Sequence, residues 1–182
     1  MSQTLYSVGH GNRTIEELLG LLKAAGVETL VDVRARPRSR HNPQFNDDAL
    51  RLACDNAGIT YHWAGRQLGG LRAPRAGSPH IALDEDRRGF ADHMDTDVFR
   101  QAAMQLQNLA ARGACAMLCA ERDPVHCHRS LIADYLVLQG RRVLHLIDPG
   151  ETREHLFSSE ARRESAALIY DRQATRPLDL ER

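Results

Sequence analysis

Short, mostly apolar segments alternate with amphipathic helical segments along most of the chain, and this alternation limits the fold more than any other feature. The apolar segments cover residues 5–8, 29–33, 59–63, 114–120 and 142–147. Around them, apolar residues recur every three or four positions, the spacing of a helix with one buried face. Strands that alternate with helices form a parallel sheet with right-handed crossovers. The sequence therefore predicts an α/β fold, a single domain with a mostly parallel sheet and helices on both faces, as in Rossmann-like or flavodoxin-like three-layer sandwiches.

The chain of 182 residues is long enough for one compact domain. We expect the α/β domain to occupy residues 1–150. Within it, residues 64–89 are rich in Gly, Pro, Arg and Asp without periodicity, which is typical of a functional loop such as a lid, or of a disordered insertion. Residues 151–182 are predicted to form a helical tail. Apolar residues 168–170 in this tail cover either the protein's own core or a neighbouring chain, so the oligomeric state stays open.

Composition and charge narrow the class of protein. No tract is long and apolar enough to cross a bilayer, and the first residues lack a signal-peptide pattern, so we expect a cytoplasmic protein with no membrane partner. In that reducing compartment the cysteines are predicted to be free thiols. The 24 basic and 24 acidic residues balance, so overall charge does not indicate nucleic-acid binding. All basic residues except Lys23 are arginines, whose planar guanidinium group suits phosphate and carboxylate.

Polar residues follow the first two predicted strands. Open parallel sheets bind ligands at the carboxyl ends of their strands, so these residues are candidates for one site. His10 and Asn12 lie in a glycine-containing loop, which is either a weak phosphate-binding loop or a tight turn. Asp32 lies within an apolar strand, where a carboxylate is costly unless it is paired. Because Arg34 and Arg36 follow it, Asp32 either forms a buried ion pair or lies beside an anion-binding arginine cluster.

The third predicted strand ends in an aromatic residue that is followed by arginine and glycine. Trp63 and Arg66 would stack on a base or nucleoside, or else Trp63 belongs to the core. Gly69 and Gly70 are flexible or lie against another group. We therefore include Arg66 and the two glycines among the candidate substrate-binding residues.

The densest group of reactive side chains lies between the fourth strand and the next helix. Its members are Cys119, Glu121, Cys127, His128, Arg129 and Ser130. A helix N-terminus offers free N–H groups and partial positive charge, which attract anions and lower the pKa of a thiol. Three interpretations remain open: nucleophilic or anion chemistry at a thiolate of Cys127 or Cys119, metal ligation by both cysteines and a histidine, and buried thiols with a structural role. The phosphatase pattern Cys-x5-Arg is absent and Cys-x7-Cys-His is not a standard zinc spacing, so no metal site is assigned.

Five segments together resemble one protein family, DUF488, a bacterial and archaeal group defined by sequence. They are SVGHGNRT, VDVRARPRSRHNPQFN, GITYHW with the later LGG, FADHMDTDVFRQA and CAERDPVHCHRSLIADYL. The resemblance covers roughly residues 5–149. At position 11 this chain has Gly where the family more often has Ser, so no role of that hydroxyl carries over. The resemblance implies that the strand-end residues form one site, and it implies no particular reaction.

The leading hypothesis is an enzyme that acts on a phosphorylated small molecule, a nucleotide or a nucleic acid in a pocket at the carboxyl edge of the sheet. The candidate catalytic residues are Cys127, Cys119, Asp32, His10, Glu121 and His128. The candidate substrate-binding residues are Arg34, Arg36, Arg129, Ser130, Asn12, Arg66, Gly69 and Gly70. The alternative is a non-catalytic module that binds a ligand, metal or nucleic acid through the same residues. The sequence leaves the cofactor unassigned.

Overall fold

The structure is a computed structural model that describes residues 3–172. The strands of its main sheet are β1 (Thr4–Gly9), β2 (Thr29–Asp32), β3 (Thr60–Trp63), β4 (Cys115–Cys119), β5 (Arg142–Asp148) and β6 (Glu151–Glu154). Their spatial order is β3-β2-β4-β1-β5-β6, and all neighbours run parallel except β5 and β6. The predicted α/β fold with a mostly parallel sheet is therefore confirmed.

Three of the six helices in the described residues begin at a residue whose side chain caps them. The six are α1 (Ile15–Ala24), α2 (Asp47–Asn56), α3 (Gly65–Leu68), α4 (Glu85–His93), α5 (Asp97–Arg112) and α6 (Arg129–Leu138). Thr14 begins α1 with a capping box, since its hydroxyl accepts the N–H of Glu17 and the Glu17 carboxylate accepts the N–H of Thr14. Thr96 caps α5 by accepting the N–H of Phe99. In the described part of the chain, no helix has both the length and the apolarity to cross a bilayer.

Helices cover both faces of the sheet, because successive side chains of a strand point to opposite faces. On β4, Met117 belongs to one buried cluster and Leu118 to the other. Helices α1 and α2 pack on the Leu118 face, through residues such as Leu22. Helices α5 and α6 pack on the Met117 face, through residues such as Phe99 and Ile132. The result is the expected three-layer sandwich.

The carboxyl ends of β1, β2 and β4 meet at one edge of the sheet. Gly9 pairs with Cys119, and Asp32 pairs with Leu118. Strand β4 lies between β2 and β1 although it comes later in the chain, so the direction of the crossovers changes here. Open α/β sheets bind ligands at such a switch point. The loops that follow these three strands are therefore the place to look for a site.

The segment predicted to be a loop over residues 64–89 is partly helical. It contains α3 and the beginning of α4, and the irregular part is limited to residues 69–84. Asp84 caps α4 by accepting the N–H of Arg87. Only a short stretch of α4 is buried, around Phe90 and Ala91, so its mostly charged sequence gives no clear helical periodicity.

The helical tail predicted over residues 151–182 is wrong for the described part of that segment. After β6, the chain forms an antiparallel hairpin of β7 (Ala161–Glu164) and β8 (Ala167–Tyr170). Burial alternates along β8, where Leu168 and Tyr170 enter the protein's own core, so the apolar period is two, as in a strand. Residues 173–182 of the predicted tail lie outside the described residues.

Candidate functional site

Two cysteines and a histidine meet beyond the carboxyl end of β4. Cys119 is the last residue of that strand, and Cys127 and His128 come directly before α6. The Nδ1 atom of His128 lies 3.8 Å from Sγ of Cys119 and 3.8 Å from Sγ of Cys127. All three atoms lie within 4.8 Å of one another. These three residues are called the thiol–imidazole cluster below.

A single 3-10 turn brings the two cysteines together. Pro124 begins this turn with its fixed φ, and the Asp123 carboxylate accepts the N–H of Val125. The N–H of Cys127 then donates to the carbonyl of Pro124 at 3.2 Å. The turn reverses the chain, so Cys127 returns to the strand end that carries Cys119.

The surroundings of His128 determine which ring nitrogen faces the sulfur atoms. Nε2 donates to the carbonyl oxygens of Val33 and Leu68, at 3.1 and 3.0 Å. Because a carbonyl oxygen only accepts hydrogen bonds, Nε2 carries a hydrogen. In the neutral ring, Nδ1 therefore keeps its lone pair on the side of the two sulfur atoms.

The two thiols of the cluster perturb each other's pKa. The hydrogen bond from Cys127 holds the pKa of Cys119 well below its usual range, and the same contact raises the pKa of Cys127. Cys119 is therefore the more readily ionised of the two thiols, although Cys127 is nearer the helix N-terminus and its Sγ accepts the N–H of Arg129 at 3.4 Å. By contrast, burial raises the pKa of Cys54 to about 11 and that of Cys115 to about 12. Those two thiols are ordinary core residues.

Two glycines near the cluster lie close to other groups. A Cβ on Gly70 would lie 3.3 Å from Nδ1 of His128. A Cβ on Gly9 would lie 1.8 Å from the carbonyl oxygen of Glu121. The first glycine leaves space beside the imidazole, and the second allows the end of β1 to contact the loop after β4.

The cluster forms part of the wall of a cavity of about 380 Å³ at the carboxyl edge of the sheet. Arg34, Arg36, Arg87 and Glu121 also belong to this wall. Arg87 is paired with Asp84, with Nε 2.8 Å from the carboxylate. Arg36 is exposed and makes no hydrogen bond or ion pair with any described residue. Its guanidinium donors are therefore free for a ligand.

Asp32 and Arg34 form a buried ion pair, one of the two alternatives for Asp32. Nε of Arg34 donates to Oδ1 at 2.9 Å and Nη2 donates to Oδ2 at 2.7 Å. The hydroxyl of Tyr61 donates to Oδ2 at 2.5 Å, and Nη2 of Arg34 also donates to the carbonyl of Phe45. Asp32 is fully buried, so it positions Arg34 and does not itself reach the cavity.

His10, a predicted catalytic residue, is buried beside Arg34 and outside the cavity wall. Its ring stacks on Phe45, with centroids 4.6 Å apart. Nδ1 donates to the carbonyl of Gly11, and Nη1 of Arg34 donates to Nε2 at 3.3 Å. Burial lowers the pKa of His10, so the ring is neutral and supports Arg34.

Arg129 and Ser130, predicted to bind substrate, are both buried and hold the cluster's segments in place. Nη1 of Arg129 donates to the carbonyl of Glu121 at 2.8 Å, which fixes the loop after β4. The hydroxyl of Ser130 donates to the carbonyl of Cys127 at 2.8 Å. Neither side chain lies in the wall of the cavity.

Three further predicted substrate-binding residues lie away from the cavity. Asn12 is exposed, and so is Arg66, whose guanidinium carbon lies 5.9 Å from the centre of the Trp63 ring. Gly69 is buried against Ala35. The predicted residues that the structure brings together at the cavity are Cys119, Glu121, Cys127, His128, Arg34, Arg36 and Gly70.

A second buried polar group, which the sequence reasoning missed, lies beneath α6. The Asp134 carboxylate accepts Nε2–H of His155 at 2.7 Å, and Nδ1 of His155 accepts Nε2–H of His145 at 3.0 Å. Nδ1 of His145 in turn accepts the hydroxyl of Ser7 at 2.9 Å. A carboxylate only accepts, so Nε2 of His155 is the donor to Asp134, and with both rings neutral the other two donor directions follow. These four residues are called the histidine chain below.

The histidine chain attaches the C-terminal hairpin to the sheet. The hydroxyl of Tyr170 donates to the second carboxylate oxygen of Asp134, at 3.0 Å. Burial, with the neighbouring His155 ring, lowers the pKa of His145 to about 3, so this histidine is neutral. A signal was present in the sequence, because His145 and Asp134 each interrupt an apolar run, as Asp32 does.

The fold and the site define an α/β sandwich protein with a thiol–imidazole cluster at the carboxyl edge of its sheet. A family model described as "Domain of unknown function DUF488" matches residues 14–136. The chain belongs to this family, and the resemblance noted from its motifs is confirmed. No curated protein matches the chain, and no solved structure matches it.

Proposed function

We propose that the protein is an enzyme that acts on a phosphorylated small molecule, such as a nucleotide, in the cavity beside the thiol–imidazole cluster. One observation carries the proposal: the cluster and the free guanidinium group of Arg36 belong to the wall of the same cavity. A phosphorylated substrate requires one group that reacts with it and another that binds its phosphate, and both must face the same cavity.

The size of the cavity and the charge of the protein favour a small molecule over a nucleic acid. The volume of about 380 Å³ lies in the range of small-molecule sites, which is about 300–1,000 Å³. The 24 basic and 24 acidic residues give no net charge, whereas nucleic-acid binding depends on neutralising many phosphates with basic side chains. We therefore propose a phosphorylated small molecule as the substrate class.

Arginine side chains would hold the anionic group of this substrate. Arg36 has free donors, and a guanidinium group binds phosphate through two parallel hydrogen bonds. Arg34 reaches the same wall with a guanidinium group that Asp32 holds in a fixed orientation. A fixed donor loses little conformational entropy when it binds a ligand.

The thiol–imidazole cluster would supply the reacting group. Its three side chains lie within reach of one another, as a nucleophile and its base must. Glu121 is exposed on the same wall and would exchange a proton with the substrate. Asp32, His10, Arg129 and Ser130 then serve as positioning residues.

The loop over residues 69–84 would contribute to substrate specificity. Gly70, Leu71 and Asp84 from this loop belong to the cavity wall. The proposal keeps the expected role of this segment as a lid or specificity loop. We also propose a reducing, cytoplasmic location, which the four free thiols support.

Ligand binding by matched arginine variants tests the proposal. We expect a panel of nucleoside monophosphates and inorganic phosphate to bind the wild-type protein, measured by titration calorimetry. Arg36→Gln should weaken this binding by about 10-fold or more, because a hydrogen bond to a charged group contributes about 1.5–3 kcal/mol. Arg38→Gln is the control, since Arg38 lies in the same loop but pairs with Asp47 and Asp48.

The outcomes separate the candidate functions. Equal affinities of the two arginine variants would contradict an anion site at this cavity. Tight, salt-sensitive binding of a single-stranded oligonucleotide, with no binding of mononucleotides, would indicate a nucleic-acid substrate. Binding without any product detected by mass spectrometry, in the wild type and in His128→Ala alike, would indicate the non-catalytic module.

A further inference from the structure

We propose that Cys119, Cys127 and His128 bind a zinc ion. The inference deepens the proposed function by naming the reactive group of the site, which would then be the ion held by all three residues instead of a free thiolate with a histidine base. It rests on that function only for the claim that the ion faces the substrate. The ion would have three protein ligands, with a water or a substrate oxygen in the fourth position. This is the arrangement of catalytic zinc sites, where Zn²⁺ acts as a Lewis acid.

The distances in the cluster match those of a tetrahedral zinc site. With Zn–S bonds of about 2.3 Å and Zn–N bonds of about 2.0–2.1 Å, ligand atoms of one tetrahedron lie about 3.6–3.8 Å apart. Nδ1 of His128 lies 3.8 Å from each sulfur atom, and all three atoms lie within 4.8 Å. The two Nδ1–Sγ distances therefore already suit one ion, and the two sulfur atoms, at most 4.8 Å apart, would need to approach each other by about 1 Å or less.

The outer contacts of His128 also have the form found around metal-bound histidines. A ligating histidine donates its other ring N–H to a carbonyl or carboxylate, which fixes the tautomer and the ring orientation. Nε2 of His128 makes this contact with the carbonyls of Val33 and Leu68. Nδ1, the atom left for the ion, faces both sulfur atoms.

The positive groups around the sulfur atoms suit a site with two thiolates. Cysteine binds zinc as thiolate, so the two ligands bring two negative charges to a buried place. The N–H of Arg129 donates to Sγ of Cys127, and the guanidinium group of the same residue is completely buried in the loop beside the cluster. These groups favour the ionised sulfur atoms.

The space beside the cluster leaves the fourth position accessible. Residue 70 is glycine, and a Cβ at this position would lie 3.3 Å from Nδ1 of His128. The thiol–imidazole cluster also belongs to the wall of the proposed substrate cavity. Thiolate and imidazole ligands select zinc over Mg²⁺ or Ca²⁺, which prefer oxygen. The site offers two cysteines, whereas an iron–sulfur centre is held by four ligands, so the site does not suit an iron–sulfur centre.

Metal analysis of the untagged, full-length protein tests this proposal. After expression with added zinc, we expect about one zinc per chain by elemental mass spectrometry. Cys127→Ala should lose the metal, whereas Cys54→Ala, which truncates a buried cysteine far from the cluster, should keep it. Gly70→Ala should weaken zinc binding, because its Cβ would lie 3.3 Å from Nδ1 of His128 and displace the ring.

Cobalt binding keeps the test independent of whether the variants fold well. The metal-stripped wild-type protein with added Co²⁺ should show a thiolate-to-cobalt charge-transfer band in the near ultraviolet, and Zn²⁺ should displace it. Bound Zn²⁺ should also slow alkylation of Cys119 and Cys127 by iodoacetamide. A wild-type protein without zinc and without this band would overturn the inference, as would a Cys119–Cys127 disulfide in protein purified under reducing conditions.

The result is separable from that for the proposed function. Zinc bound by a protein that shows no affinity for phosphate or nucleotides would support the metal site and contradict the substrate. If the protein holds no metal but binds nucleotides, and Arg36→Gln loses this binding, the result would support the substrate and contradict the metal site.

Discussion

The thiol–imidazole cluster and the histidine chain are two buried polar groups that differ in how completely their atoms are paired. In the histidine chain, each ring nitrogen and both carboxylate oxygens have a partner within 3.0 Å. In the cluster, the contacts between Nδ1 of His128 and the sulfur atoms are 3.8 Å long, and the group faces a cavity. Both groups contain histidine, and both lie beside α6.

From this difference we infer that the histidine chain is structural and that the thiol–imidazole cluster is the group available to a ligand. A fully paired network stabilises one arrangement of its elements and has no capacity left for a ligand. The thiol–imidazole cluster has long contacts and faces a cavity, so a ligand can bind there without breaking strong hydrogen bonds. We therefore expect changes in the histidine chain to alter stability, and changes in the cluster to alter binding and activity.

The largest expected effect is on the stability of Asp134→Ala. This change removes the acceptor of His155, whose side chain is 8% exposed, and of fully buried Tyr170, so we expect the free energy of unfolding to fall by about 3–5 kcal/mol. Urea denaturation measures it, with Asp55→Ala on the exposed side of α2 as a control expected within about 0.5 kcal/mol of wild type. A loss below about 1 kcal/mol would show that the chain is not a structural network.

The second effect is acid destabilisation through His145. Its pKa is about 3 in the folded protein and 6.5 in the unfolded chain, so between these values the unfolded state holds the additional proton. Its stabilising contribution is complete above pH 6.5 and falls as the pH drops towards 3, by up to about 1.4 kcal/mol per pH unit.

Denaturation at a series of pH values checks this effect. In His145→Gln, the free energy of unfolding should depend less steeply on pH than in wild type. The difference in slope should correspond to the uptake of at most one proton on unfolding. His62→Gln, on the exposed side of β3, should keep the wild-type slope. Parallel curves for wild type and His145→Gln would be incompatible with a neutral buried histidine.

The third effect is on the stability of metal-free Cys127→Ala. The removed sulfur atom is small, lies at the wall of a cavity and has polar contacts of 3.4–3.8 Å, so we expect a loss of about 1 kcal/mol, while zinc binding and activity disappear. Thermal unfolding of metal-stripped proteins measures it. A loss as large as that of Asp134→Ala would remove the distinction between the two groups.

The smallest effect is on the stability of Arg36→Gln. Arg36 is exposed and has no partner among the described residues, so its replacement should change the free energy of unfolding by less than about 0.5 kcal/mol. The same variant should lose phosphate affinity. A marked loss of stability would mean that Arg36 has a structural role and that its side chain is not free to bind a ligand.

The sequence predicted most of the fold because local patterns determine it. Capping residues such as Thr14 and the spacing of Leu18 and Leu22 are visible without tertiary information. The helical tail failed because the alternation of Leu168 and Tyr170 is too short to separate a strand from a helix by periodicity. Pairing within the hairpin, which is a tertiary property, decided the outcome.

The candidate site was predicted in part for the same reason. The strand-end rule predicted that Cys119 and His128 would meet at one edge of the sheet, and the structure brings them together there, because the order of strands and helices fixes where loops meet. It did not show which way an arginine points. Arg36 faces the cavity, whereas Arg129 turns inward to the carbonyl of Glu121, and this choice depends on backbone positions that no sequence pattern reports.

Strand β1 lies between β4 and β5 in the middle of the sheet, yet it precedes the segment that the family model matches, and β5 follows it. An expression fragment cut to residues 14–136 would therefore lack two adjacent central strands and would expose the open edge of β4, which carries Cys119. Such an edge pairs readily with other chains, so the fragment should aggregate. Cloning boundaries for biochemical work on this protein should therefore include both β1 and β5.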